Sequence, residues 1–229
     1  MTNFDDLTLL TDVLRAIYSA DAGAFPQVLD DLTRAAARWV PGADEAGITV
    51  TSRQNEVSTP SVTHECARLL DEFQQRHLEG PCVHAAWTRK VVVIDDLEAD
   101  ARWPKYQADA LAHTSIRSVL SLPMSADELS MGALNFYAER PKSFSEDSRR
   151  VAAMFATLGA LAWSNVVRTQ QFREALSTRD TIGQAKGILI ERYDLDDQTA
   201  FNALIKLSQS MNTPLREVAR RVIEDATGR

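Results

Sequence analysis

The stretch that decides the architecture of this chain is Arg179-Asp-Thr-Ile-Gly-Gln-Ala-Lys-Gly-Ile-Leu-Ile-Glu-Arg192. Three apolar residues recur at intervals of three and four and therefore share one face of a helix: Ile182, Ala185 and Leu189. Gly183 and Gly187 lie one turn apart in the same helix, although a glycine there costs about 1 kcal/mol relative to alanine. The two glycines therefore indicate that a neighbouring helix or a ligand approaches this surface closely.

Two more amphipathic helices are predicted after this stretch. Asp196 is the expected N-cap of the first one, and Thr213 is the expected N-cap of the second, with Pro214 at the first helical position. The predicted apolar residues are Ala200, Phe201, Leu204, Ile205, Ser208 and Met211 in the first helix, and Leu215, Val218, Ala219 and Val222 in the second. Three short helices in succession predict a small bundle.

The sequence of this bundle resembles an ANTAR domain over residues 177–226. The resemblance is carried by Arg179, the run Ile182-Gly-Gln-Ala-Lys-Gly-Ile-Leu189, Ala200-Phe201, Leu204, Asn212, Leu215 and Val218-Ala219. It implies the RNA-binding module of bacterial transcription antiterminators. Asp194 and Ser208 depart from the pattern, since glycine and alanine are commoner at these two positions.

The preceding part of the chain predicts alternating helices and strands. Helices are expected at 5–20, 25–40, 65–75 and 105–113, with a short helix opened by Pro81, and strands at 47–51, 55–62, 89–94, 116–124 and 131–137. Ser145 and Ser148 are expected to cap the start of a long helix.

These elements resemble a GAF domain over residues 25–165. The carrying residues are Glu79-Gly-Pro-Cys82, Val93-Ile-Asp-Asp-Leu97, Asp100-Ala-Arg-Trp-Pro104, Arg117-Ser-Val-Leu-Ser-Leu-Pro123 and Gly132-Ala-Leu-Asn-Phe-Tyr137. The resemblance implies a sensory module with an antiparallel sheet and helices on one face of it. The ligands of such domains differ widely, so the signal is left open, a small molecule being one class.

The two resemblances together predict an α+β chain. We expect a GAF-like sensor domain at 1–165, a helical coiled-coil linker at 166–176 and an ANTAR three-helix bundle at 177–229. Seven residues of the long helix follow the alternating spacing of a coiled-coil seam: Phe155, Leu158, Ala162, Asn165, Thr169, Phe172 and Leu176. This predicts a parallel homodimer through the long helix, and the alternative is an ordinary terminal helix that packs on the sheet.

Composition and charge limit the class of protein. With 45% apolar and 25% charged residues the chain has an ordinary globular composition, without an apolar run of the ~18 residues that a membrane span needs. The acidic first residues and the two cysteines favour a cytoplasmic protein. The net charge is −7, and the segment from Leu176 onward is neutral, with eight Lys and Arg against eight Asp and Glu. Electrostatics alone therefore does not predict RNA binding; the motif does.

Six basic residues are the candidate RNA contacts: Arg179, Lys186, Arg192, Arg216, Arg220 and Arg221. Such a cluster would bind the phosphates of a hairpin loop, and an arginine plane would stack on an unpaired base. The alternative is a solvated face on which these residues pair with carboxylates such as Glu217 and Glu224.

Six residues are the candidate ligand contacts of the sensor domain, with Asn135 beside them: Cys82, Trp87, Asp95, Trp103, Tyr106 and Arg117. Asp95 and Arg117 would orient a polar ligand, and the tryptophans would stack on it. The alternative is that they are core and turn residues of a domain without a ligand.

Cys82 follows Pro81 at a helix N-terminus, where the macrodipole favours a thiolate. The alternatives are a thiol sensor, a zinc site with His64, Cys66 and His84, and a packed structural cysteine; we expect no metal site.

The sequence contains no constellation typical of an enzyme. It lacks a glycine-rich phosphate loop, a G-x-S-x-G elbow and an H-E-x-x-H helix, so we expect no catalysis and no cofactor. The resemblances to GAF and ANTAR domains imply a signal-responsive regulator that binds dual RNA hairpin loops as a dimer and prevents transcription termination. The alternative is a signalling protein whose bundle binds a protein partner; DNA is disfavoured because the second helix of the bundle is largely apolar.

Overall fold

The computed structural model describes residues 11, 15, 25–51, 57–125 and 131–227. Within it the chain divides into two compact units, Met1–Val167 and Arg168–Arg229. The helix predicted at 5–20 lies outside the described residues, apart from Thr11 and Arg15, which are helical.

The first unit is built on a five-stranded sheet. Its strands are β1 (Glu45–Thr51), β2 (Val57–Val62), β3 (Val92–Ile94), β4 (Ser118–Ser125) and β5 (Met131–Ala138). They lie in the order β2-β1-β5-β4-β3, and every neighbouring pair is antiparallel. The alternating and β-branched segments of the sequence therefore form strands as predicted.

Helices cover both faces of this sheet. The helices are α1 (Phe25–Trp39), α2 (Glu65–His77), α3 (Pro81–Thr88), α4 (Pro104–His113) and the long α5 (Glu146–Tyr193). One core contains Leu32 of α1 and Phe155 of α5 together with Phe136 of β5. The other contains Leu70 of α2 and Tyr106 of α4 with Tyr137 of β5. The prediction of helices on one face is wrong: every residue of β5 is buried, as a strand covered on both sides requires.

The start of α5 has the predicted reciprocal cap. The backbone N–H of Ser148 donates to Oγ of Ser145 at 3.2 Å, and the N–H of Ser145 donates to Oγ of Ser148 at 3.0 Å. Both serines thereby satisfy N–H groups that a helix start leaves free.

α5 is long and apolar enough by composition to cross a membrane, since an 18-residue window within it has a mean hydropathy of 1.3. Phe155, Leu158 and Ala162 are nevertheless buried in the core of the first unit. A third of that window is buried, so packing on the sheet accounts for part of its hydropathy. These three residues belong to the predicted coiled-coil seam, so that part of the seam is not free to pair with another chain.

The second unit is a small helical bundle. It contains the end of α5, α6 (Asp197–Ser210) and α7 (Leu215–Thr227). Its core consists of Ala185, Leu204, Val218 and Ala219, with Ile182, Leu189, Leu215, Val222 and Ile223 packed around them. The predicted apolar faces are therefore correct, except at Met211, which is 46% exposed.

The two turns of the bundle depend on residues with positive φ. Asp194 has φ 51° and Asn212 has φ 46°, a region in which glycine and asparagine are favoured. Asp196 is the N-cap of α6 as predicted, because its carboxylate accepts from the N–H of Thr199 at 2.7 Å.

The second turn differs from the prediction at Thr213. Its hydroxyl donates to the carbonyl of Met211 at 3.0 Å, whereas a capping hydroxyl would accept from the following helix. Ser208 holds this turn closed, since its hydroxyl donates to the carbonyl of Thr213 at 2.6 Å. The serine that departs from the family pattern therefore has a structural role.

Candidate functional site

An open groove of about 870 Å³ lies on the second unit. It is lined by Gln171, Glu174, Ala175, Thr178, Arg179, Asp180, Ile182, Gly183, Lys186, Asp197, Gln198, Phe201 and Arg216. All three helices of the unit contribute to it, and we call it the C-terminal groove. Three of the six predicted RNA contacts therefore line one surface: Arg179, Lys186 and Arg216.

Lys186 is held inside this groove by two contacts. Its Nζ lies 2.5 Å from Oδ1 of Asp197, and the lysine side chain is only 21% exposed, against 77% for the aspartate. The same ammonium lies 5.8 Å from the ring centroid of Phe201, within the range of a cation–π contact. The lysine that the motif singled out is thus already paired with a carboxylate of its own chain.

The other candidate RNA contacts lie in different surroundings. Arg220 pairs with Glu217 at 2.6 Å and with Glu224 at 3.7 Å, as the solvated-face alternative predicts. Arg192 and Arg221 are exposed and do not line the groove.

Gly183 and Gly187 have open space around them. A Cβ on either glycine would meet nothing within 4 Å among the described atoms. The predicted close approach of a neighbouring helix is therefore wrong within one chain. Gly183 instead lines the C-terminal groove, where the missing side chain leaves the wall of the groove open.

A buried carboxylate in the first unit was missed by the sequence reasoning. Asp71 of α2 is 3% exposed and accepts from the hydroxyls of Thr49 and Thr59, both at 2.7 Å. The side-chain amide of Gln74 donates to it at 3.1 Å. Burial raises the pKa of Asp71 to about 6, although these hydrogen bonds act in the opposite direction. We call Thr49, Thr59, Asp71 and Gln74 the buried polar cluster.

Gln74 connects this cluster to the start of α3. Its Oε1 accepts from the backbone N–H of Cys82 at 2.8 Å. Gly80, the N-cap of α3, provides no side chain for capping. The glutamine of one helix therefore caps the next, eight residues along the chain.

Cys82 lies at a helix N-terminus, which would favour a thiolate, but its surroundings favour the protonated thiol. The residue is fully buried, with its Sγ 3.4 Å from the hydroxyl of Tyr137 and 3.7 Å from that of Ser121. Burial, followed by the charge of Asp71, raises the pKa of the Cys82 thiol to about 12. The thiol is therefore protonated near neutral pH, and desolvation outweighs the helix dipole.

Comparison with protein-family models matches residues 24–164 to a GAF domain and residues 170–223 to an ANTAR domain. The chain is a GAF–ANTAR protein. Its two domains make it a signal-responsive regulator. No curated protein matches the chain significantly.

Solved structures with the same fold have little sequence in common with this chain. The GAF domain of a phosphoenolpyruvate-protein phosphotransferase from Coxiella burnetii is 14% identical, with a TM-score of 0.55, and the match covers 72% of this chain and 96% of that one. The corresponding domain from Acinetobacter is 17% identical with a TM-score of 0.52, covering 74% and 99%. An N-acylhomoserine lactone dependent LuxR family transcription factor from Burkholderia cenocepacia is 18% identical with a TM-score of 0.54, covering 72% and 96%. At these identities the likeness shows the fold alone.

The predicted ligand contacts of the GAF domain have different neighbours in the structure. Arg117 forms ion pairs with Asp96 at 2.9 Å and with Glu98 at 2.9 Å, and Asp95 is exposed. The Arg117 guanidinium lowers the pKa of Asp96. Arg117, Asp96 and Glu98 thus form a partly exposed ion-pair network.

The two tryptophans among the predicted ligand contacts, Trp103 and Trp87, also contact different residues. Trp103 packs edge-on against His84, with 5.5 Å between the ring centroids, and lies under the Arg102 guanidinium at 4.6 Å. Trp87 is 38% exposed and lines a shallow groove of about 270 Å³ with Thr51, Val57, Gln74, Leu78 and Val83. Only Gln74 belongs to both this groove and the buried polar cluster.

Four buried side-chain polar atoms of the GAF domain have no hydrogen-bond partner among the described residues: Oε2 of Glu45, the hydroxyl of Tyr106, Oδ1 of Asn135 and Nε of Arg149. The Nδ2 of Asn135 donates to Oγ1 of Thr49 at 2.7 Å, so Asn135 adjoins the buried polar cluster. Of the residues proposed for a zinc site, Cys82 is buried and His64 is exposed. Across the described part of the chain no three His, Cys, Asp or Glu residues are grouped as metal ligands would be.

Proposed function

We propose that this GAF–ANTAR protein is an RNA-binding transcription antitermination regulator in the cytoplasm. The observation that carries the proposal is the C-terminal groove, in which Arg179, Lys186 and Arg216 line one surface of the ANTAR domain. Within the described residues neither Arg179 nor Arg216 forms an ion pair, and both are exposed. Their guanidinium groups are therefore available to phosphates.

The groove suits an unpaired loop better than a duplex. Proteins read RNA sequence in single-stranded loops, whose bases stack on aromatic rings or arginine planes. Phe201 lines the groove and is partly exposed. Because the segment after Leu176 is formally neutral, counterion release contributes modestly, and base contacts must provide much of the affinity.

We further propose a homodimer that presents two such grooves to two hairpin loops. Phe172 is 64% exposed and Leu176 is 43% exposed on the part of α5 that belongs to the second unit. They occupy positions of the predicted coiled-coil seam, where burial against a second copy would remove them from water. The linker proposed at 166–176 includes both residues.

The signal would act on the GAF domain. A small molecule in the groove beside Trp87 would contact Gln74, whose side-chain amide donates to Asp71 of the buried polar cluster. Binding there would change the relative populations of an RNA-competent and an RNA-silent state.

A protein partner is the second candidate, favoured by exposed apolar residues on the ANTAR domain. Tyr193 is 61%, Leu207 41% and Met211 46% exposed. A partner that covers them would bind without regard to salt, because apolar burial does not depend on counterions.

The test is binding of the full chain to an RNA with two hairpins, against the same RNA with scrambled loops, at two salt concentrations. The double variant Arg179→Ala/Arg216→Ala should bind at least about tenfold more weakly and reduce the salt slope by roughly 1.5. Lys206→Ala is the control, because Lys206 is exposed and does not line the groove. Equal binding of both RNAs, or an equal loss in the control, would refute the proposal.

A further inference from the structure

The C-terminal groove contains as many carboxylates as cations. Glu174, Asp180 and Asp197 line it beside Arg179, Lys186 and Arg216. A surface built for a polyanion is expected to carry an excess of positive charge. The balance of three against three therefore requires an explanation.

One of these carboxylates is placed directly on a cation. Asp197 Oδ1 lies 2.5 Å from Nζ of Lys186, the position that an RNA phosphate oxygen would occupy in a charge-assisted contact. The other four charged residues of the groove form no ion pair with one another in the described part of the chain: Glu174, Arg179, Asp180 and Arg216. The pairing is thus specific to Lys186.

The ion pair between Lys186 and Asp197 is placed so that another anion can replace the carboxylate. The Asp197 side chain is 77% exposed, so water solvates the carboxylate as soon as the ammonium leaves. Asp197 is also the first residue of α6, where the positive end of the helix dipole stabilises a carboxylate without Lys186. Pairs of this exposure contribute little to stability.

The lysine remains in place when the carboxylate is released. Its side chain is only 21% exposed, and its ammonium stays within 5.8 Å of the Phe201 ring, which attracts a cation independently of Asp197. Nζ would therefore face the groove, ready for another anion.

We propose that Asp197 is an internal competitor of the RNA phosphate for Lys186 and thereby sets the affinity of the groove. This inference rests on the proposed RNA-binding function and adds a regulatory residue to it. An RNA phosphate must displace the carboxylate before it can contact Lys186. Asp197 therefore weakens the binding of every RNA that uses this lysine.

The test compares Asp197→Asn with the wild-type full chain on the two-hairpin RNA. The variant should bind about two- to fivefold more tightly, which corresponds to the loss of one exposed ion pair. Its salt slope should change little, because both proteins place the same basic residues on the RNA phosphates and release the same counterions. The preference for the correct loop over the scrambled loop should stay the same or increase, because the RNA that uses Lys186 more fully gains at least as much from the loss of the competing carboxylate.

Two controls separate this effect from charge and from folding. Glu191→Gln makes the same change of net charge at an exposed residue that does not line the groove, and it should tighten binding less. In a Lys186→Ala background, Asp197→Asn should give no more tightening than Glu191→Gln does. Asp197→Ser, which suits a helix start, should reproduce the gain if asparagine disturbs the fold.

The possible outcomes distinguish failure of the competitor role of Asp197 from failure of the proposed RNA binding. Wild-type binding that depends on the loop, together with an unchanged or weaker Asp197→Asn variant, overturns the competitor role and leaves RNA binding intact. Tightening that persists in the Lys186→Ala background also overturns it. If the wild-type chain and every variant bind both RNAs alike, the proposed function fails and the inference fails with it.

Discussion

A methyl group on Gly80 would lie 2.4 Å from Cγ of Gln74, so the glycine provides the space that this glutamine occupies. Gly80 also has φ 142°, a conformation that side-chain-bearing residues rarely adopt. Gln74 uses the position to accept the N–H of Cys82 at 2.8 Å. The start of α3 and the buried polar cluster therefore depend on the absence of a side chain at residue 80.

Gly80→Ala should destabilise the GAF domain by about 2–4 kcal/mol, through backbone strain and displacement of Gln74. Tryptophan fluorescence during urea unfolding measures this domain alone, since Trp39, Trp87, Trp103 and Trp163 all precede residue 168. An unchanged midpoint would show that Gln74 moves aside at no cost.

Gly183→Ala is the matched substitution in the ANTAR domain, and its effect should have the opposite sign. A Cβ there meets nothing within 4 Å, so alanine should stabilise the helix by about 0.5–1 kcal/mol. The measurement is far-ultraviolet circular dichroism during thermal unfolding, with Gly187→Ala as a second example. Destabilisation by either substitution would mean that another chain approaches this face in solution.

Local sequence signals predicted the boundaries of the helices and strands well. They did not predict contacts between residues far apart in the chain. The N-cap at Asp196 and the cap at Ser145 were found because each involves residues within three positions. Asp71 was missed because a carboxylate in an amphipathic helix ordinarily faces water. Only the fold brings Thr49 and Thr59 from two strands onto it.

The pKa of Asp71 should make the stability of the GAF domain depend on pH. Burial raises this pKa from 3.8 to about 6, so the folded state binds the proton more tightly than the unfolded state. The resulting stabilisation is complete below about pH 4 and is lost as the pH rises through about 6. The wild-type protein should therefore lose about 2 kcal/mol relative to Asp71→Asn between pH 4 and pH 6, and about 3 kcal/mol over the whole titration.

The measurement is urea unfolding of both proteins by tryptophan fluorescence at a series of pH values. The difference between them isolates Asp71 from other titrating groups. Glu72→Gln, at the exposed neighbouring position of α2, serves as the control and should follow the wild-type curve. A constant difference between wild type and Asp71→Asn would show that Asp71 does not titrate in this range.

Cys82 should be nearly inert in the folded protein. Burial raises its pKa to about 12, which leaves about three orders of magnitude less thiolate than a free cysteine has near neutral pH. Cys66, whose pKa burial raises to about 11, should react slowly but faster than Cys82. Mass spectrometry after iodoacetamide treatment measures both rates, and unfolded protein supplies the reference. Rapid alkylation of native Cys82 would restore a thiol-sensing role.

The candidate sites show why residue type alone misplaces partners. The sequence offered Arg117 and Asp95 as ligand contacts, and it did not predict that Arg117 pairs with Asp96 and Glu98. Adjacent residues of a turn point in different directions, and sequence spacing does not say which one faces the strand. In the bundle the helical spacing put Lys186 beside the apolar face, but it did not show that the ammonium forms an ion pair with Asp197.

Phe172 and Leu176 should hold the proposed dimer together. They are 64% and 43% exposed in the single chain, and each apolar side chain removed from water contributes about 1.5–3 kcal/mol. In a symmetric dimer each substitution occurs twice, so Phe172→Ser/Leu176→Ser should raise the dimer Kd at least about hundredfold.

Sedimentation equilibrium of the full chain measures this constant. Leu207→Ser is the control, because Leu207 is comparably exposed at 41% on α6 and lies outside the seam; it should remain dimeric. If the wild-type protein is a monomer at every concentration, the exposed face of α5 does not bind a second copy. If Leu207→Ser also dissociates, the dimer forms through the exposed apolar residues of the bundle, and two grooves would then be brought together by the bundles themselves.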